Sequence, residues 1–316
     1  MKTIGIVGGL AWPSSAIYYR AINELVARRL GGLHCARLVL AQTDFAQVER
    51  YQREGRWDLV GDLLAAQARN LKAAGADFFL LACNTVHTAS ERIERLAGLP
   101  LLHIVDPTAR QIQQAGFTTV GLLGSRYTMT GTYFTGRLRR SFAVNVLVAE
   151  GEHQDNVHNA LYAELARGTV LPATRAKFQA AIIDLVARGA EVIVLACTEF
   201  GMLVQAKDSP VPVIDTTIAH AQAAVELALA DDPWPLGVPD GGDARVPPGQ
   251  RRLRSLKRIT RLLTSWGARV RVARAATPRA LPRSGYFPPL RASGMAGGWT
   301  GTQCRPEAAS SSPGSR

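Results

Sequence analysis

The apolar positions of this chain fall into short continuous runs that alternate with stretches of helical periodicity. Lys2 to Val7, Ala36 to Ala41, Phe78 to Ala82, Pro100 to Val105, Thr119 to Leu123, Val192 to Ala196 and Pro212 to Ile214 read as buried strands. A strand covered on both faces loses the in-out alternation of an exposed one, so unbroken runs point to parallel sheets. Between them, Ile17, Ile22, Leu25 and Val26 share one stripe after start signals at Pro13, Ser14 and Ser15, and Leu59, Leu63, Leu64, Ala68 and Leu71 mark a helix over 58–74. Further helices are expected from about Thr88 to Leu96 and from Ile218 to Leu229. Thr43-Asp44-Phe45 reads as the start of a loop, and Pro100 to Asp106 as a strand ending in a carboxylate.

Two of the apolar runs share an ending. Phe78 to Ala82 closes in Cys83-Asn84-Thr85, Val192 to Ala196 closes in Cys197-Thr198-Glu199, and a Gly-Ala pair introduces each, at Gly75-Ala76 and Gly189-Ala190. The cysteines are 114 positions apart, and Thr119 to Ser125 echoes Thr3 to Gly9 at an offset of 116. Pro212 to Asp215 then echoes the run ending at Asp106. Three anchors in the same order argue for a duplicated α/β unit, over about 1–116 and 117–215. Ligands of such units sit outside the carboxyl ends of the strands, where both cysteines fall.

Composition changes the picture mainly at the C-terminal end. Of the 316 residues, positions 1–231 hold 22 Lys and Arg against 21 Asp and Glu, which leaves 15 against 4 in 232–316, so +11 of the formal +12 belongs to this last segment. Rich in Pro, Gly, Arg and Ser, residues 232–316 read as a disordered tail or an out-of-frame extension, and only Arg251 to Trp266 keeps a helical period. A tail that binds nucleic acid or a membrane is the alternative. No nucleic-acid or membrane partner is expected for the body. The opening sequence lacks the pattern of a signal peptide and no run is long enough to span a membrane, which leads to a cytoplasmic expectation. Cys35, Cys83, Cys197 and Cys304 are spaced like neither a disulfide framework nor a zinc set, so no metal is expected.

Cys83 and Cys197 carry the candidate chemistry. A thiol where a strand gives way to a helix start is expected to titrate lower than usual. If the two units face each other, one sulfur stands on each side of a bound molecule. That arrangement suits removal of a proton from one face of a carbon and its return from the other, with one thiolate and one thiol exchanging roles. Asn84, Thr85, Thr198 and nearby backbone N–H groups could hold an α-carboxylate. The rival is a Cys-His hydrolase using Cys83 and His87, but Phe200-Gly201 stands where a second histidine would be needed. Gly8-Gly9 does not match the spaced glycine fingerprint of a dinucleotide site. Lysines in the body are few (Lys2, Lys72, Lys177 and Lys207), and none lies in the cysteine turns, which gives pyridoxal phosphate little support.

Ile4 to Leu10 with Tyr18-Tyr19, Ala82 to His87, and Ala196 to Glu199 together resemble the cofactor-independent aspartate/glutamate racemase family. The resemblance spans about residues 1–231. It implies two Rossmann-like domains related by a pseudo-twofold axis with the active site in the cleft between them, a homodimer, no cofactor, and a last helix (217–230) that returns to the first domain. It also implies Cys83 and Cys197 as the opposed acid/base pair, with Asn84, Thr85 and Thr198 at the amino-acid head group. Glu199, where glutamate racemases usually carry histidine, points to the aspartate branch, whose members include some that accept both acidic substrates. The likeness extends to Gln52-Arg53 and to Gly124 to Thr128, making Gln52, Arg53, Arg126 and Thr128 candidate substrate residues, either arginine being able to face the distal carboxylate. Leu10 is implied to approach the substrate through its backbone. Hydantoin racemases and maleate isomerases are the alternative activities within the superfamily.

Overall fold

The computed structural model describes residues 1–231. The basic segment, the helical period over 251–266 and Cys304 lie outside the described residues.

In chain order the elements of the first half are β1 (Ile4–Gly8), α1 (Trp12–Leu30), β2 (Leu38–Gln42), α2 (Phe45–Arg53), α3 (Trp57–Ala73), β3 (Phe78–Leu81), α4 (Ser90–Ala97) and α5 (Val105–Ala115). The second half adds β4 (Thr119–Gly124), α6 (Arg126–Thr130), α7 (Thr135–Phe142), β5 (Asn145–Val148), α8 (Gly151–Ala163), α9 (Pro172–Ala187), β6 (Val192–Ala196), α10 (Phe200–Leu203), β7 (Val213–Asp215) and α11 (Thr216–Leu229). Two all-parallel sheets result, ordered β2-β1-β3 and β5-β4-β6-β7. Ile4 stands opposite Leu38 and Phe78 in the first, as Val120 stands opposite Val146 and Val192 in the second. The duplicated sequence is thus a duplicated topology, with the glycine-containing strand at each centre and a cysteine strand beside it.

The repeated Gly-Ala pairs acquire a structural cause. Gly75 (φ 87°) and Gly189 (φ 100°) turn the chain through left-handed backbone that glycine alone adopts without strain. The alanine after each then packs on the central strand: a methyl group built on Gly5 would lie 3.1 Å from Ala76 Cβ, and one on Gly121 would lie 3.1 Å from Ala190 Cβ.

Both sheets are covered on both faces. Val7, Phe79 and Leu81 pack with Leu64, Ala68, Leu71 and Ile93 of α3 and α4, while Ile4, Ile6, Phe78 and Leu80 pack with Tyr18, Ile22 and Val26 of α1 and with Ala221, Ala224 and Ala228 of α11. In the second sheet, Val120, Leu122, Val192 and Val194 meet Ala109 and Ile112 of α5 with Phe134 and Leu138, and the opposite face meets α8 and α9 through Val157, Phe178, Ile182 and Leu185. Each half therefore lends a helix to the other, α5 to the second sheet and α11 to the first. Burying side chains of this size is worth roughly 1.5–3 kcal/mol each.

Several local expectations are corrected. Residues 45–53 form α2 rather than a loop, because the Asp44 side chain accepts the Ala46 N–H at 3.1 Å and so caps a helix whose buried face is Val48 and Gln52. Pro100 to Asp106 is not a strand beyond a single bridge from Leu101 to Phe79. Imidazoles take the donors a ladder would need: His87 Nε2 accepts from Ile104 N–H and His103 Nδ1 from Val105 N–H, each at 3.3 Å. Asp106 consequently sits in the first turn of α5, held by Arg137 at 2.6 and 2.9 Å. The helix expected near Thr88 is split into a 3-10 turn, Thr85–Ala89, and α4. On α1, Tyr18 with Ile22 and Val26 forms the buried stripe, and Ile17 and Leu25 flank it half-buried. No described helix is long and apolar enough to cross a membrane.

Candidate active site

Cys83 follows β3 by two residues and Cys197 follows β6 directly, so both thiols emerge from carboxyl ends of strands adjacent to the sheet centres. Cys197 is buried and Cys83 half-buried; the charge of Cys83 bears on Cys197, and the tyrosines Tyr133 and Tyr162 feel both.

Three sets of hydrogen bonds cross between the halves at this level. The Ser14 hydroxyl, at the start of α1, lies 2.7 Å from Thr198 Oγ1 and 2.5 Å from Glu199 Oε1. Asn84 Nδ2 donates to Thr216 Oγ1 at 3.0 Å, and Thr216 spends its own proton on the Leu195 carbonyl at 2.9 Å. Thr85 Oγ1 lies 2.9 Å from Ser125 Oγ, which continues through Thr128 at 3.1 Å to the Tyr133 hydroxyl at a further 2.8 Å. The cleft is therefore built from side chains of both sheets.

The turn that carries Cys83 is positioned from behind. His87 Nδ1–H donates to the carbonyls of Cys83 (2.9 Å) and Asn84 (3.2 Å), which leaves Nε2 as the acceptor for Ile104. His220 Nε2–H donates to the Leu102 carbonyl at 2.8 Å and its Nδ1 accepts from the Tyr18 hydroxyl at 2.8 Å. His87 stands between His103 and His220, with ring centroids 4.6 and 6.1 Å away. Burial drives all three below the ordinary imidazole range, His87 to about 3 and His220 to about 4, and they sit as neutral rings. His87 is engaged with backbone and does not present a nitrogen to the Cys83 sulfur in the way a hydrolase base must.

The expected lowering of the thiols is also corrected. Burial, followed by the charge of Glu199, pushes Cys83 up to about 12 against opposing hydrogen bonds from the N–H groups of Val86 and Thr85 and from the Thr85 hydroxyl. Burial also raises Cys197 well above the ordinary thiol range, and the Glu199 carboxylate adds to the rise. Desolvation outweighs the turn dipoles here. Asp215 (on β7) is raised by burial as well, and Glu199 bears on it.

The candidate residues separate into two groups. Leu10 is buried in the cluster that contains Val86 and has Cys83 packed against it, and Asn84, Thr85, Thr128, Thr198 and Glu199 join the two thiols in the networks just described. Gln52 is buried one turn beyond Val48 on the inner face of α2, and Val48 packs in that same cluster. Arg53 and Arg126 are held at the surface: Arg53 pairs with Glu49 at 3.1 Å and Arg126 with Asp155 at 2.6 Å, and both are at least half exposed. Ser14, Ser125, Tyr133, Tyr162 and Thr216 belong to the cleft without having been singled out as site residues. Only Ser125 and Ser14 carried a local signal, as part of the Gly124 to Thr128 motif and of a helix start.

Among the described residues, the buried side-chain atoms without a hydrogen-bond partner are both amide atoms of Gln52, Asn84 Oδ1 and Thr217 Oγ1. Buried polar atoms are rarely left so. Because Thr216 accepts from Asn84, the atom of Asn84 that remains is an acceptor, which suits an ammonium group better than a carboxylate. No described group of three His, Cys, Asp or Glu side chains is arranged to hold a metal ion.

Known proteins resemble this chain over most of its described residues. The family model described as Asp/Glu/Hydantoin racemase matches residues 7–224. A solved structure from Yersinia pestis, provisionally described as an Asp/Glu racemase, is 41% identical with a TM-score of 0.68 and covers 73% of this chain and 100% of its own. An aspartate racemase homologue from Pyrococcus horikoshii OT3 is 27% identical with a TM-score of 0.63, covering 72% of this chain and 99% of its own. The broad specificity amino-acid racemase RacX of Bacillus subtilis (strain 168) is 28% identical over 163 residues, 52% of this chain and 70% of that protein.

Proposed function

The chain belongs to the Asp/Glu/Hydantoin racemase family, and from that premise we propose that it interconverts L- and D-aspartate, and also glutamate, by proton transfer between Cys83 and Cys197 without pyridoxal phosphate. The observation that carries the proposal is the pair of thiols on equivalent strand ends, one buried and one half-buried, with the charge of Cys83 bearing on Cys197.

In this mechanism the thiolate of one cysteine takes the Cα proton, so that a C–H bond breaks and an S–H bond forms. The electron pair left on Cα spreads into the α-carboxylate. The opposite thiol then delivers its proton to the other face of Cα and becomes the thiolate, and neither oxidant nor net proton is consumed. Backbone N–H groups and hydroxyls of the two turns stabilise the charge that develops on the carboxylate, which is the largest service a dry site of this kind renders. The acceptor Asn84 Oδ1, buried and without a protein partner, suits the α-ammonium of an amino acid. It disfavours a dianionic substrate such as maleate.

The distal group presents a second possibility, raised by Gln52. With Arg53 and Arg126 engaged at the surface, the buried amide of Gln52 is the candidate partner for the substrate side chain, and an amide serves an uncharged polar side chain as readily as a carboxylate. A chiral assay with aspartate, glutamate, asparagine and glutamine separates the two readings. Incubation with L-aspartate in deuterated water, without added pyridoxal phosphate, is expected to yield D-aspartate labelled at Cα. Racemisation that appears only on adding pyridoxal phosphate refutes the two-thiol mechanism. A homodimer is part of the same proposal and is read by light scattering.

A further inference from the structure

Glu199 is fully occupied by protein. Its Oε2 accepts from the Cys197 thiol and from the Thr198 hydroxyl, both at 2.9 Å, and its Oε1 from the Ser14 hydroxyl at 2.5 Å. The carboxylate is buried at 2% exposure. A buried carboxylate that already accepts three hydrogen bonds has little left for a substrate.

The two sulfurs also sit in unlike surroundings. Around Cys83 the polar neighbours donate: the N–H groups of Val86 and Thr85 and the Thr85 hydroxyl. Around Cys197 one donor, the Glu199 N–H, is set against an acceptor, the Glu199 carboxylate. Donors favour a thiolate and an acceptor favours a thiol. A thiolate at Cys197 would place two negative charges 2.9 Å apart.

We propose that Glu199 is a positioning residue rather than a substrate ligand: clamped from the opposite half by Ser14, it holds the proton on Cys197, so that Cys83 is the sulfur that ionises first and serves as the base while Cys197 serves as the acid. The assignment rests on the two-thiol reading of the site. It makes the duplicated centre asymmetric, since nothing equivalent to Glu199 follows Cys83, where the same offset brings Thr85. Substrate whose Cα–H faces Cys83 meets the sulfur that gives up its proton first, and the opposite enantiomer requires the harder ionisation of Cys197. The other titratable groups facing the pair are Tyr18, Cys83, Asp215, Tyr133 and Tyr162. None of them supplies a positive charge.

The test is alkylation by iodoacetamide of the full chain between pH 6 and pH 10, with Cys83 and Cys197 followed separately by peptide mass spectrometry. In the unmodified protein Cys83 should react first. In Glu199→Gln, which keeps the shape and removes the charge, Cys197 alkylation at pH 8 should rise at least ~10-fold, the change expected for one unit of thiol acidity, and Cys83 should change less. Ser14→Ala should move Cys197 in the same direction by a smaller factor, and it carries the test alone if Glu199→Gln does not fold. An unchanged Cys197 rate in the folded variants overturns the assignment, as does an equal rise at both cysteines, which would mean a diffuse field instead of a bond to one sulfur. The readout needs no turnover. The expected shift in a protein that racemises no amino acid upholds the proton assignment and refutes the racemase proposal, and an active racemase without the shift does the reverse.

Discussion

Acid should unfold this protein through the histidines behind Cys83. His87 and His220 are held by burial at about 3 and about 4, against an ordinary value of 6.5. Between those values the unfolded chain binds a proton that the folded chain refuses, so stability is complete above pH 6.5 and declines as pH falls. At pH 5.0 each ring costs about 2 kcal/mol, and the two together about 4 kcal/mol, a large part of a typical 5–15 kcal/mol. The structural reason is plain. A second proton on His87 Nε2 would face the Ile104 N–H, and one on His220 Nδ1 would face the Tyr18 hydroxyl. His103, also depressed, adds to the effect, whereas Asp215, raised by burial, acts in the opposite sense. Urea unfolding followed by circular dichroism at pH 7.5 and pH 5.0 measures the loss, and His220→Gln should remove roughly half of the pH dependence calculated for the two rings. A stability that is flat between the two pH values, or a full pH dependence retained in His220→Gln, refutes the assignment of neutral buried rings.

Three further outcomes follow from particular residues. Cys83→Ser and Cys197→Ser should each lower racemisation of aspartate by about 10²–10⁴, the usual contribution of a positioned acid or base, while circular dichroism stays native. Arg53→Ala and Arg126→Ala should leave both the turnover number and KM for aspartate within about twofold, since each arginine is at least half exposed and tied in a surface ion pair, and such pairs contribute little. A large rise in KM in either would return that arginine to the substrate site. Gly121→Ala should cost about 1–3 kcal/mol in urea unfolding, because the added methyl would lie 2.8 Å from Ile193 Cδ1 and 3.1 Å from Leu185 Cβ and Ala190 Cβ. Unchanged stability would show that α9 can shift away from β4 at no cost.

The chain by itself determined six of the seven described parallel strands, their duplication and the two cysteines, because each is written in contiguous residues: an apolar run, a Gly-Ala turn, a polar ending; the short edge strand β5 (Asn145–Val148) was not marked. Local periodicity failed where a distant partner intervened. Residues 100–106 carry a strand's composition, yet His87 and His103 take the backbone donors that a ladder would use. Side-chain direction was equally out of reach, so Gln52 and Arg53, adjacent in sequence, end respectively inside and outside on the two faces of α2. The tertiary structure alone decided the chemistry of the thiols. Turn dipoles read from the sequence favour thiolates, but burial between two sheets and a glutamate clamped by Ser14 from the other half reverse the balance. Desolvation and long-range contact depend on what surrounds a residue in space, and neighbours in sequence do not record it.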